Sequence, residues 1–219
     1  MPQLYGQFSL FTLVQDLPHN RCAVCRATRR HPPPLPFLEL MSALAAAIPV
    51  LDPIKAEFRQ AMAHLGAAVN IITSNGPGGR CGITASAVCS VTDTPPMLLI
   101  CINRNSAMHA ILEQNVHLCV NVLPGHHEEL AKHFSGMTKM PMAERFEIPV
   151  WNCGTNDVPV LKDALASFQG RITELKPVGS HSVIFMEIDQ ITIAANGDSL
   201  IYFARNFCRV ARDNPAMAS

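Results

Sequence analysis

The chain has 219 residues, enough for one domain with a full core and only marginally for two, and its 17 Lys and Arg are balanced by 17 Asp and Glu. Zero net charge leaves no basic stripe for a phosphate backbone, which argues against nucleic acid as a partner. Hydrophobic residues make up 48%, yet no run approaches the ~20 apolar residues needed to cross a bilayer, so no membrane segment is expected.

Residues 1–52 read as a poorly ordered N-terminal extension: Arg21, Arg26, Arg29 and Arg30 cluster before "HPPPLPF", and no amphipathic period persists. Met41 begins a more ordinary sequence and is an alternative start. The extension lacks the basic start, apolar core and cleavage site of a secretory signal. Cys22 and Cys25, with His31 near, make half of a zinc site, but a structural site needs a fourth ligand and normally a second matched pair. No metal-binding residue is therefore expected.

From Pro53 the pattern becomes regular, and residues 53–212 form the expected domain, followed by a flexible tail over 213–219. In "IKAEFRQAMAHL", Phe58, Met62 and Leu65 fall at i, i+4 and i+7, which predicts an amphipathic helix. "GAAVNIITS" reads as a strand ending in the tight turn "NGPGG". "GITASAVCSV" supplies the next strand, stopped by "TDTPP", and "MLLICIN" a third, buried on both faces. "NRNSAMHAILEQN" predicts a short helix capped by Asn103, Asn105 or Ser106, and "HLCVNVL" a fourth strand. "HHEELAKHFSG" is a helix closed by Gly136, after which comes a methionine-rich loop. "ALASFQGRITELKPVG", "HSVIFMEIDQITIAA" and "SLIYFARNF" add three strand-rich segments with turns at "PVGS" and "NGDS". Many short strands with few, short helices predict a mainly β fold, a closed or nearly closed antiparallel barrel. Cys81, Cys89, Cys101, Cys119 and Cys153 lie mostly inside these apolar strands, where a free thiol acts as a small hydrophobe, which fits a reduced, cytoplasmic protein.

Four constellations carry chemical content. If residues 82–92 form one strand, Thr84, Ser86, Ser90 and Thr92 share a face without a charge, opposite small side chains. Such a face either turns to water or receives a neutral, planar, polar heterocycle. Directly after it, "CINRNSAMHAIL" runs from a strand into a helix N-terminus, where free N–H groups with Arg104 and Ser106 suit a phosphate, although most such turns are only caps. His181 lies at a turn before an apolar strand, a position more often structural than catalytic, while His109, His126, His127 and His133 read as solvated helix-surface residues. "YFARNF" combines the flat Tyr202 and Phe207 with Arg205, which suits a dinucleotide and equally a strand closing a barrel. No Walker loop and no G-x-G-x-x-G occurs, so a nucleotide would be held in another way.

The run "AAVNIITSNGPGGRCGITASAVCSVTDTPPMLLICIN", with "LCVNVL", "MAERF", "VGSHSVIFMEI" and "LIYFARNF" in the same order, closely resembles the small flavin reductases of two-component monooxygenases. Among them the reductase components of 4-hydroxyphenylacetate 3-monooxygenases are most alike, and the flavin reductases of the pyrimidine utilisation pathway are similar. The resemblance covers about Phe58 to Val210. It implies a split β-barrel of the FMN-binding, Greek-key type with a few short helices, a homodimer, and flavin near the subunit interface. It further implies that Thr84, Ala85, Ser86, Ser90 and Val91 line the isoalloxazine and ribityl chain, and that Cys101, Ile102, Asn103 and Ser106 hold ribityl and phosphate. His181, the candidate catalytic residue, would stand beside the nicotinamide as a positioner, with Tyr202, Ala204, Arg205 and Phe207 on the rest of the dinucleotide. The implied chemistry is hydride transfer from NADH, or NADPH, to N5 of FMN or FAD, after which reduced flavin passes to a separate oxygenase. Competing readings are a non-catalytic flavin- or haem-binding barrel and an interaction protein docking through "GMTKMPM".

Overall fold

The structure, a computed structural model, describes residues 53–211. The extension expected over 1–52, with Cys22, Cys25 and His31, and the tail expected over 213–219 lie outside the described residues.

The first element is the expected helix, α1 (Pro53–Met62), with proline at the start, where its missing N–H costs nothing. Its apolar stripe does not enter the core: Phe58 is 62% exposed and Leu65, just beyond the helix, 61%. The next segment was expected to be one strand and is two. β1 (Ala67–Ala68) and β2 (Asn70–Ser74) pair with different sheets, and Val69 between them donates to Leu200 O and accepts from Leu123 N–H.

The stretch expected as a continuous hydroxyl-bearing strand is also divided. β3 (Cys81–Ala85) and β4 (Val88–Asp93) are separated by Ser86 and Ala87. They are followed by β5 (Pro96–Asn103), α2 (Ala107–Leu112), β6 (His117–Val122), a 3-10 turn (Gly125–His127), α3 (Glu128–Phe134) and α4 (Met142–Glu147). α3 ends where expected, with Gly136 at φ +83°. Then come β7 (Trp151–Cys153), β8 (Pro159–Leu161), β9 (Ala166–Val178), β10 (His181–Ile193), β11 (Ser199–Phe203) and β12 (Asn206–Val210).

The main sheet is antiparallel and has seven strands in the order β3-β2-β6-β9-β10-β5-β4. β3 and β4 stand at opposite edges, yet only two residues link them. In a flat sheet those edges would lie roughly 29 Å apart, six steps of ~4.8 Å, and the link spans at most about 11 Å. The sheet therefore curls until its edges approach, which makes it a split barrel. A three-stranded sheet, β1-β11-β12, and the β7-β8 pair complete the fold. The long β9–β10 hairpin shifts register at Phe185/Met186 and Ile188/Gln190, irregularities that bend and twist a strand. Here Gly170 is required, because a Cβ would run into the Glu187 carbonyl.

Alternation along the strands divides the core in two. Ile72, Ile100, Ile102, Leu118, Val120, Ile184 and Met186 meet Met108 and Leu112 of α2 inside the barrel. Ile71, Leu123, Phe134, Leu161 and Leu200 form the second cluster, where Phe134 meets Phe146 and Trp151 edge-on at 5.2 and 5.4 Å.

Candidate functional site

β5 was expected to be buried on both faces, and it is buried on one. Ile100 and Ile102 point into the barrel, while Leu99 and Cys101 are half-buried and Asn103 exposed on the other side. That second face is the floor of a cleft of about 860 Å³. Ser86, Ala87, Val88 and Cys89 flank the floor along the β3–β4 break, and Arg59, Met62, Ala63, Leu65, Gly66 and Ala67 form one rim. Tyr202 and Arg205 form the other.

The second rim is the β11–β12 hairpin turn. "YFARNF" is therefore not one strand: Phe203 pairs with Asn206 and the two loop residues, Ala204 and Arg205, have φ of +49° and +63°, the backbone of a type I′ turn. Tyr202 packs edge-on against Phe207 at 5.3 Å. The Ala204 N–H donates to Ala63 O at 2.8 Å, tying this rim to the end of α1. A smaller pocket of about 190 Å³ adjoins, lined by Thr84, Ala85, Ser86, Tyr202 and Phe207 with Val69, Ser135 and Met137. Among the described residues, two guanidinium groups and no carboxylate line the larger cleft, so its field favours an anionic ligand.

The expected site residues thus separate into groups. Ser86, Cys101, Tyr202 and Arg205 meet in the cleft, and Thr84, Ala85 and Phe207 in the pocket that shares Ser86 and Tyr202 with it. Thr84 is already engaged, since its Oγ1 donates to Ala131 O of α3 at 2.7 Å, so the uninterrupted hydroxyl face does not exist. Ser90 and Val91 stand exposed on edge strand β4, outside both cavities, and β4 carries a register shift between Ser90 and Thr92. The Ile102 side chain is 2% exposed and belongs to the core, so only its backbone faces outward.

Asn103 and His181 face each other in register at the ends of β5 and β10, two residues along from Cys101. Asn103 Oδ1 accepts the Asn105 N–H, and His181 Nδ1 lies 2.9 Å from Ser180 Oγ. Ser106, at the start of the six-residue α2, makes no capping bond, and its Oγ is buried without a hydrogen-bond partner. Behind His181, His109 is only 7% exposed, with Nε2 2.7 Å from the buried Ser182 Oγ. It was expected on a solvated face and is instead a core residue, because α2 packs its whole His109 side against the barrel. His126 and His127 were also read as solvated and both bind Asp163, and His133 lies against Thr138.

Sequence reasoning missed the α1 rim and Leu99. The legible signal was the amphipathic stripe of α1, whose exposed face had no assigned partner. Burial, and secondarily the Cys89 thiol, raises the Cys101 thiol above its ordinary range, so it rests protonated on the cleft floor.

A curled antiparallel sheet with an open, cationic cleft along its β3–β4 break and an added hairpin defines a split barrel with a site for an anionic ligand. Comparison with known proteins agrees: residues 62–211 match the model of the flavin reductase like domain, and the chain belongs to that family. It is 57% identical over 160 residues, 73% of this chain and 94% of the relative, to the 4-hydroxyphenylacetate 3-monooxygenase reductase component of Pseudomonas aeruginosa. Over 167 residues, 76% of this chain and 91% of the relative, it is 50% identical to the FMN reductase (NADH) RutF of Variovorax paradoxus. Among solved structures, the NADH:FAD oxidoreductase SgcE6 of Streptomyces globisporus, in complex with NAD and FAD fragments, superposes with a TM-score of 0.67. It is 26% identical, over 74% of this chain and 96% of that one.

Proposed function

We propose that this flavin reductase takes NADH as donor and FMN or FAD as acceptor in the cleft above β5, and delivers reduced flavin to a separate oxygenase acting on a phenolic acid of the 4-hydroxyphenylacetate type. The observation that carries the reading is the cleft itself: an uncharged floor of Leu99 and Cys101, flanked by Ser86 and Cys89, between two rims that each bring one guanidinium. The higher identity to the 4-hydroxyphenylacetate reductase component than to the FMN reductase RutF favours that oxygenase over one of pyrimidine utilisation.

The residues present fit a flavin. Ala85 and Ala87 beside Ser86 let a flat ring approach the backbone, and Ser86 offers it a hydroxyl. Ser106 Oγ, buried and unpartnered at the start of α2, would be satisfied by a phosphate or ribityl oxygen that reached past the lining of the cleft, to which Ser106 does not itself belong. Arg205 and Arg59 would neutralise phosphate charge, and Tyr202 would offer a flat wall. When bound, flavin supplies the hydride-accepting chemistry itself, and the protein supplies orientation and charge. Holding donor and acceptor face to face contributes about 7 kcal/mol at the low end, so no acid–base pair is required. His181, beside Asn103 at the end of the β5 floor, would position the nicotinamide. NADPH is the alternative donor, with Arg205 on its extra phosphate.

We further propose that the protein acts in the cytoplasm as a homodimer. No helix among the described residues is long and apolar enough to cross a membrane. The exposed stripe of Phe58, Met62 and Leu65, of which Met62 and Leu65 stand on the cleft rim, suits the same stripe or cleft of a second copy.

The test is nicotinamide oxidation by the purified protein with FMN, with FAD and with neither, repeated with NADPH. Turnover that depends on added flavin is expected, since a cleft this open favours exchange. Flavin binding, seen by fluorescence quenching, without oxidation of either donor would leave only a flavin carrier.

A further inference from the structure

Away from the cleft, the 3-10 turn after β6 places two adjacent histidines over one carboxylate. His126 Nε2 lies 2.8 Å from Asp163 Oδ2, and His127 Nε2 lies 2.8 Å from Oδ1 and 3.0 Å from Oδ2. The imidazole rings are 4.3 Å apart, and one donor atom from each of the three residues falls within 4.8 Å of the others. None of the three lines the cleft.

We propose that His126, His127 and Asp163 form a binding site for a divalent transition-metal ion, with water in the remaining coordination positions. Two donors each about 2.1 Å from an ion stand roughly 3 Å apart when they subtend a right angle. The closest histidine–carboxylate spacings already present, 2.8 Å each, come within a few tenths of an ångström of that figure, and the three donor atoms all lie within 4.8 Å of one another. Two imidazoles and one carboxylate select borderline ions such as Zn²⁺, Co²⁺ and Ni²⁺ over Mg²⁺ and Ca²⁺, which prefer oxygen alone.

The backbone carrying these ligands is fixed in advance. Gly125 donates to Asp198 O at 3.0 Å and accepts from Arg209 Nε at 2.8 Å, which pins the turn to the three-stranded sheet. On the other side, Leu165 donates to Val122 O at 2.9 Å, so the segment carrying Asp163 is bonded to the end of β6. His127, with its side chain 11% exposed, is the anchored ligand, while His126 at 54% and Asp163 at 47% leave an open approach for the ion. Ion binding would displace the hydrogens by which His126 and His127 now bond Asp163, so protons are released as the metal is taken up. The ion would staple the β6–α3 turn to the β8–β9 connection, and mass action would then raise stability with metal concentration.

The experiment uses the full chain, stripped with a chelator and titrated with Co²⁺, followed by its visible ligand-field absorption, and with Zn²⁺ by calorimetry. His126→Ala and Asp163→Asn are carried alongside. Both residues are half exposed, and flavin-dependent nicotinamide oxidation by each variant checks that it is folded. One bound ion is expected, with affinity reduced ~10-fold or more in each variant, and with a metal-dependent rise in melting temperature confined to the parent protein. No ligand-field band and no saturable Zn²⁺ heat would overturn the proposal. So would binding unaltered in both variants, which would put the ion on other ligands such as Cys22 and Cys25.

Discussion

Around Asn121 and along the cleft the same barrel treats polar groups in opposite ways. Asn121 is fully buried and fully used: its amide donates to Ile71 O at 3.0 Å and Thr73 Oγ1 at 3.2 Å, and its Oδ1 accepts from Leu161 N–H at 2.8 Å and the Cys119 thiol at 3.4 Å. Along the cleft, Leu65 and Tyr202 are exposed and Cys101 half-buried. Outside the cleft lining, at the start of α2, Ser106 Oγ is the one buried side-chain oxygen or nitrogen without a partner among the described residues. One region is satisfied by the chain alone. The other leaves its apolar and polar side chains open, which is how a site for a diffusible ligand differs physically from a core.

The largest effect expected from breaking this contrast is at Asn121. It joins β2, β6 and β8, so Asn121→Leu keeps the volume but strips the buried Leu161 N–H of its acceptor. A loss of about 3 kcal/mol in urea unfolding is expected, with any surviving folded protein keeping its affinity for flavin. A loss below about 1 kcal/mol would mean that the network is dispensable and that the contrast with the cleft is one of exposure alone.

A smaller and more discriminating pair is Ser106→Ala against Thr84→Val. Both remove a hydroxyl near the proposed ligand, but only Thr84 has an internal partner, Ala131 O. Ser106→Ala should leave stability unchanged within about 0.5 kcal/mol while weakening flavin binding ~10-fold, because the hydroxyl contributes nothing until the ligand is bound. Thr84→Val should do the reverse, costing about 1 kcal/mol of stability with flavin affinity unaltered. Urea titration and fluorescence quenching on the same two proteins separate the cases. The crossed result would assign the Thr84 hydroxyl to the ligand and Ser106 to the fold.

The strands and the split barrel were legible because period-2 alternation and turn residues are local signals, and the turns at Gly136 and Gly179 fall where the pattern put them. What the sequence hid was which edge meets which. Thr84 and Ser90 are six residues apart and sit at opposite edges of a seven-stranded sheet, a separation created by long-range pairing that no local window contains. The two-residue break at Ser86 and Ala87 carries neither Gly nor Pro, so it gave no local cue. β5 misled for a related reason: "MLLICIN" is apolar throughout, and only the structure reveals that its Leu99 and Cys101 face a cleft. His109 was misplaced because a six-residue helix presses a flank expected to be polar onto Ser182. Cys81 and Cys119 were read correctly as core thiols, and burial pushes both up to about 12.

The smallest expected effect lies at the rim. Type I′ turns favour Asn and Gly, yet this one uses Ala204 and Arg205, both with positive φ. Alanine in that region costs about 1 kcal/mol, and Ala204→Gly relieves it while keeping the N–H that donates to Ala63 O. Glycine also gains freedom in the unfolded chain, which returns part of the gain. The net expectation is about 0.5 kcal/mol of stabilisation, a rise of ~1–2 °C in melting temperature. The same freedom loosens the turn that aims Arg205 and Tyr202 into the cleft, so the apparent KM for the dinucleotide should rise although the protein is more stable. Such an opposition is what strain held at a binding rim predicts. A variant that is more stable with an unaltered KM would show instead that the strained turn serves only to close the hairpin, and Tyr202 and Arg205 would then owe their position to the bond between Ala204 and α1.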